Sequence, residues 1–213
     1  SSIQEQNKAK ELCPVILMLY GFVDDNPQAT DVLKGVRAIA SQRGYTCLSA
    51  YQDILEEKSI QNFYNLIQTH NIRGIIINHD MDTQTLNKLN SMVPVVQVNA
   101  VNPKANTHMI YLDDFKASYH AVNHLIAREC RNIAIVNTAP ESFYSCREKQ
   151  CGYVAALNDA QIPVRPELMC SLSEVYLSAA NTTIYSLLKT HPEVDGIFCC
   201  SDVYAVAATM VCG

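Results

Sequence analysis

Apolar and polar positions alternate along this chain in two rhythms. Residues 14–20 (PVILMLY) form a short continuous apolar run, as a strand buried on both faces does. A polar loop follows (GFVDDNPQAT). Then Val32, Leu33, Val36, Ile39 and Ala40 recur at helical spacing up to a stop at Gly44. A strand is expected over 46–50 and a helix over 59–69, with Ile60, Phe63, Tyr64 and Ile67 on one stripe. The strand GIIIN spans 74–78. The second half repeats this order: strand 132–136 (NIAIV), polar loop 137–146, helix 149–160, strand 168–172, helix 178–188, strand 196–200 and the start of a helix. Between the halves lie strands 94–98 and 108–112 and a helix over 115–128.

The repeat extends to spacing. Tyr20 to Gly35 and Asn137 to Gly152 are both 15 positions, and "GVRAIASQRGY" aligns with "GYVAALNDAQI". Strands alternating with amphipathic helices predict an α/β fold with parallel sheets. Two similar halves predict two doubly wound lobes with a ligand cleft between them. In such sheets ligands sit beyond the carboxyl ends of the strands. Those ends carry residues 21–30, 78–83, 138–147 and the pair Ser201-Asp202, all polar.

Composition narrows the function classes. Charged residues are 17% and apolar residues 48% of the 213, which suits a folded core rather than a disordered chain. The net charge is -5 and no Lys/Arg block is present, so this segment lacks the clustered cations that grip a DNA backbone. The longest apolar run, residues 15–23, is shorter than the roughly 20 residues of a membrane span. Nine cysteines at irregular spacing, with no C-x-x-C, favour free thiols in a reducing cytoplasm over a disulfide framework or a zinc ribbon. His120 and His124 are spaced as a zinc pair would be, but no third ligand joins them. No metal or cofactor is expected. Asn181-Thr182-Thr183 matches a glycosylation sequon and is read as a helix start.

From Leu112 the sequence reads "LDDFKASYHAVNHLIARECRNIAIVNTAPESFYSCREKQCGYVAALNDAQI". This resembles the effector-binding core of the LacI/GalR regulators, a periplasmic-binding-protein-like type I fold. Asp113, His124-Leu125, Ile133-Ala134 and the run Gly152 to Leu157 match that family's pattern in order and spacing, and "DGIFCCSDVYAVAATM" resembles its "aIFcaND-x-x-A-x-G-A". The departures are specific. Ala117 stands for a helix glycine, Glu129-Cys130 for a Gly-His, Ser201 for an Asn, and Lys149 for the effector-binding Arg, with Arg147 two residues earlier. Lysine is a point charge and cannot make a bidentate fork. Gln28 stands where an aromatic often follows Asn-Pro.

The resemblance implies residues 1–12 as a linker remnant or tag, 13–112 as an N-terminal lobe and 113–213 as a C-terminal lobe incomplete at its end. It also implies a small sugar-like effector, a homodimer, and DNA contact through a helix-turn-helix headpiece outside this chain. The implied site comprises Asp25, Asn26, Asp80, Phe143, Ser145, Arg147, Lys149, Ser201 and Asp202. All but Phe143 and Ser145, a stacking surface and a donor, have a plainer reading. Asp24, Asp25 and Asn26 suit helix capping ahead of Pro27; Asp80 suits a solvated loop; Arg147 and Lys149 suit a solvated helix face; Ser201 and Asp202 suit capping.

Three functions compete. The first is the sensor region of a cytoplasmic, LacI-type bacterial transcription regulator. The second is an extracytoplasmic sugar-binding receptor on the same fold, without DNA or dimer. The third is an enzyme on a doubly wound sheet, against which the sequence shows no G-x-G-x-x-G, G-x-x-x-x-G-K-[ST] or G-x-S-x-G.

Overall fold

Short runs of β-branched and aliphatic residues form the strands, and the segments between them form helices that cover the sheets. The computed structural model describes residues 13–20, 27–51, 59–99, 101–139, 143–173 and 175–213. The chain separates into two compact units, divided between Tyr111 and Leu112. The first unit runs β1 (Val15–Tyr20), α1 (Pro27–Gln42), β2 (Thr46–Tyr51), α2 (Ser59–Thr69), β3 (Ile72–Asn78), α3 (Thr83–Asn90), β4 (Val95–Val98) and β5 (His108–Ile110). Its five strands are parallel in the order β2-β1-β3-β4-β5.

The second unit runs α4 (Asp114–Ala127), β6 (Ile133–Thr138), α5 (Tyr144–Asp159), a 3₁₀ turn at Pro166–Leu168, β7 (Met169–Leu172), α6 (Leu177–Thr190), β8 (Gly196–Cys199) and α7 (Asp202–Cys212). Its parallel sheet has the order β7-β6-β8. The strand that opens each repeat therefore lies between the next two, as β1 does between β2 and β3. The sequence repeat is a structural repeat.

Each core follows from strand alternation. On β6, Ile133 and Ile135 face Val122, Tyr153, Ala156 and Leu157, while Val136 packs with Leu172, Ala180, Ile184 and Tyr204. In the first unit, Leu17, Leu19, Ile75, Ile77 and Val95 pack with Phe63, Leu86 and Leu89. Fully burying an aliphatic side chain of this kind contributes roughly 1.5–3 kcal/mol.

Four features depart from the sequence expectation. α5 begins at Tyr144 rather than near 149, and β6 runs on to Thr138, so the expected loop 137–146 shrinks from both ends. Helix α3 was not expected; Leu86 and Leu89 are its buried residues. Strand β5 ends at Ile110, short of 112. Ile39, placed on the inner stripe of α1, is 54% exposed.

Three helices end alike. Gly44 (φ 75), Glu129 (φ 68) and Gln161 (φ 58) are left-handed, and each lies two positions past the last residue of its helix. Glu129 N–H donates to Ile126 O and Cys130 N–H to Leu125 O, and Gln161 and Ile162 repeat the pattern on Asn158 and Leu157. These are Schellman caps, where glycine is the favoured residue. Gly44 and Gln161 occupy equivalent places in the repeat.

Candidate functional site

The carboxyl ends of both sheets gather polar side chains, as parallel sheets require of a ligand surface. In the second unit the centre is an ion pair. Lys149 Nζ on α5 lies 3.7 Å from Asp114 Oδ1 on α4, with the two side chains 27% and 17% exposed. The same Nζ donates to the Cys200 carbonyl at 3.2 Å, just past the end of β8. Lys149 shares the α5 stripe of Gly152, Tyr153 and Ala156, which is buried. That stripe sets the ammonium against α4 and β8 rather than in open solvent.

Around the pair, Thr138 Oγ1 bonds Tyr204 Oη at 3.0 Å, and Asn137 Nδ2 donates to Cys146 O at 2.8 Å. Asn137 is 2% exposed, and its Oδ1 is buried with no hydrogen-bond partner among the described residues. Burial pushes the Cys200 thiol up to about 12, with Lys149 pulling partly the other way. Ser201 Oγ accepts from Val203 N–H at 3.3 Å and so caps α7. Asp202 is exposed in the first turn of α7. Arg147 lies on the outer face of α5, its guanidinium 5.5 Å from the Tyr144 ring. No carboxylate among the described residues pairs with it.

In the first unit, β3 leads into His79 and Asp80. His79 is 6% exposed and its Nδ1 contacts Asp80 O at 2.9 Å. Burial holds its imidazole below the ordinary value. Behind it, buried Gln97 bonds Thr107 Oγ1 (2.6 Å) and the Asn102 amide (2.7 Å), and Asn102 Nδ2 reaches Met81 O and Thr83 Oγ1 at 3.1 Å. This network fastens the loop after β4 to the loop after β3. Asp82 caps α3 through Thr85 N–H.

Of the expected site residues, the second unit draws Lys149 to the backbone just ahead of Ser201. Phe143, 43% exposed, precedes α5 without capping it by a side-chain bond. Ser145, expected on the loop, falls in the first turn of α5, and Arg147 lies on that helix as expected. Asp80 lies on the first unit's strand-end loop. Asp25 and Asn26, with Asp24, lie outside the described residues. So do residues 1–12. Asp114 was missed by sequence reasoning. It follows Asp113, which caps α4 through Lys116 N–H, and nothing local marks it as the partner of Lys149. Asn181 falls inside α6 rather than at its start. None of the nine cysteines is in a disulfide. Among the described residues no group of three His, Cys, Asp or Glu could hold a metal, and no helix is long and apolar enough to cross a membrane.

Comparison with known proteins adds an independent line. Residues 14–213 match the family model described as periplasmic binding proteins and sugar binding domain of LacI family. The transcriptional repressor CytR of Escherichia coli (strain K12) is 25% identical over 188 residues, covering 86% of this chain and 53% of that protein. The transcriptional regulator MalR of Clostridium butyricum is 24% identical, covering 97% of this chain and 61% of its own length. The chain thus spans somewhat more than half of the curated relatives it matches. Among solved structures, a regulatory protein of the LacI family from Chloroflexus aggregans superposes with a TM-score of 0.78 at 21% identity, over 92% of this chain and 72% of that one. A complex of the transcriptional regulator CelR with cellobiose superposes at 0.75 and 19% identity, over 92% and 62%.

Proposed function

Because this chain belongs to the family of periplasmic binding proteins and LacI-type sugar-binding domains, we propose that it is the effector-sensing region of a bacterial transcription regulator. The effector is a sugar or sugar derivative that engages the carboxyl end of the second unit's sheet. The observation that carries this reading is the Asp114–Lys149 pair against the Cys200 carbonyl, with Asp202 two residues further on at the capped start of α7. A half-buried carboxylate and ammonium side by side offer an acceptor and a donor, which a ligand hydroxyl can engage together. Lys149 supplies a single donor point where an arginine would supply a fork, so the contact suits a hydroxyl better than a carboxylate.

The relatives are named as transcriptional repressors and regulators rather than enzymes, and one neighbour holds cellobiose. On this reading the protein acts in the cytoplasm as a homodimer, with DNA read by a headpiece outside these residues. The ligand acts by preferring one arrangement of the dimer over another.

Calorimetric titration of the protein with a panel of mono- and disaccharides, cellobiose first, tests the reading. Saturable binding by at least one sugar is expected, with loss of at least about tenfold in affinity in Lys149→Met, roughly one charge-assisted hydrogen bond. Sugar binding that Lys149→Met and Asp114→Asn leave unchanged would remove this pair from the site. Turnover of the bound sugar would overturn the sensor role.

A further inference from the structure

The proposed effector site is bordered by thiols that the sugar reading does not use. Cys146 sits in the first turn of α5 and Cys200 just past β8, and both are half-buried. Their backbones are anchored on neighbouring residues of one strand. Cys200 N–H donates to Val136 O at 2.9 Å, and Asn137 Nδ2 donates to Cys146 O at 2.8 Å. Lys149, one turn beyond Cys146 on the same helix, reaches over to the Cys200 carbonyl at 3.2 Å. Two cysteines separated by 54 positions in the chain (200 less 146) are thus held on adjacent residues of β6, beside the Asp114–Lys149 pair.

We propose that Cys146 and Cys200 form a peroxide-responsive thiol pair that regulates the effector site. Cys146 is the sulfur that reacts first. It lies in the first turn of α5, at the amide-rich end of the helix, whereas burial pushes the Cys200 thiol up. Hydrogen peroxide takes two electrons from the Cys146 sulfur, which becomes a sulfenic acid as one water is released. The Cys200 sulfur then attacks it. An S–S bond forms, the S–O bond breaks, and the oxygen leaves as a second water with the Cys200 proton. Reduction by a dithiol reverses the step. The link ties the start of α5 to the end of β8 across the Lys149 contact, and so lowers affinity for the sugar; that consequence rests on the function proposed above, but the chemistry does not.

The test reads the link itself, without any effector. The reduced protein is treated with a small excess of hydrogen peroxide, capped with N-ethylmaleimide, digested without reductant and mapped by mass spectrometry. A cross-linked peptide pair containing positions 146 and 200, lost on adding dithiothreitol, is expected. In Cys200→Ser, dimedone should label Cys146 and no link should form. Oxidation that leaves both thiols unlinked, or that joins Cys200 to Cys199 or Cys199 to Cys212 instead, would overturn the proposal. Because wild-type protein suffices for the mapping, a poorly folding variant does not protect the idea. A link in a protein that binds no sugar would leave the thiol pair standing and sink only the effector reading.

Discussion

Gly152 of α5 lies directly against the backbone carbonyl of Phe115 on α4. A methyl group there would overlap that oxygen, and would meet Ser118 Cβ and Tyr119 N at 3.0 Å. The two helices therefore approach as closely as they do only because position 152 has no side chain. This approach also brings Asp114, the residue before Phe115, to Lys149, three residues before Gly152. Helix packing and the polar site are consequences of one contact.

Gly152→Ala should therefore destabilise the protein by about 3 kcal/mol, the upper end of overpacking costs, because backbone cannot move aside as a side chain does. Gly35, its partner in the repeat, has nothing within 4 Å of an added Cβ and lies inside α1. Gly35→Ala should instead stabilise by up to about 1 kcal/mol through helix propensity. Denaturant melts of the two variants check the contrast, and equal effects would refute it.

Glu129 and Gln161 occupy left-handed caps that glycine fills at Gly44. A non-glycine residue in that region costs on the order of 1 kcal/mol. Glu129→Gly and Gln161→Gly should each raise stability by about that amount, and by the sum when combined, since they end different helices. Chemical denaturation of the single and double variants measures it.

Asp195 holds the entry to β6. Its carboxylate accepts Arg131 N–H (2.8 Å to the nearer oxygen) and Asn132 N–H (2.8 Å). Asp195→Ala should cost about 1–2 kcal/mol, as charge-assisted bonds at an exposed site do, and Asp195→Asn less, because one acceptor oxygen remains. Amide hydrogen exchange should accelerate at residues 131 and 132 in the alanine variant. Unchanged protection there would show that the carboxylate is dispensable.

His79 makes stability depend on pH. Burial is the main cause holding its imidazole below the ordinary value of 6.5, and its contact with the Asp80 carbonyl opposes this more weakly. The unfolded chain takes up the proton first. Stability from this residue is therefore full above about pH 6.5 and falls as pH drops towards the lower folded-state value. The unfolding free energy of wild type should decline through that window, and His79→Gln should decline less. Parallel curves would show that His79 does not carry the effect.

The strands were legible because a buried parallel strand is written as an unbroken apolar run, as at 74–78 and 132–136. Helix α2 was legible because Phe63 and Ile67 recur at helical spacing, and both are buried. Where local signal was thin, the reading failed. The first turn of α5, Tyr144-Ser145-Cys146-Arg147, shows no apolar stripe, so the helix was started too late. Helix α3 has only two leucines in eight residues to mark its inner face.

The sequence by itself determined the order of strands and helices, α3 apart, their parallel pairing and the repeat that relates the two units, because these follow from periodicity and from the alternation of strands with crossover helices. It also marked Lys149 and Arg147 as candidate cations. Only the tertiary structure set which of the two turns inward. Side chains two residues apart on a helix point to different sides, so Lys149 turned inward to Asp114 and the Cys200 carbonyl while Arg147 stayed on the outer face. The partners of Lys149 lie 35 and 51 positions away along the chain (149 less 114, 200 less 149). No local pattern encodes such a meeting; it arises when α4 packs on α5 at Gly152 and the end of β8 lies beside Lys149.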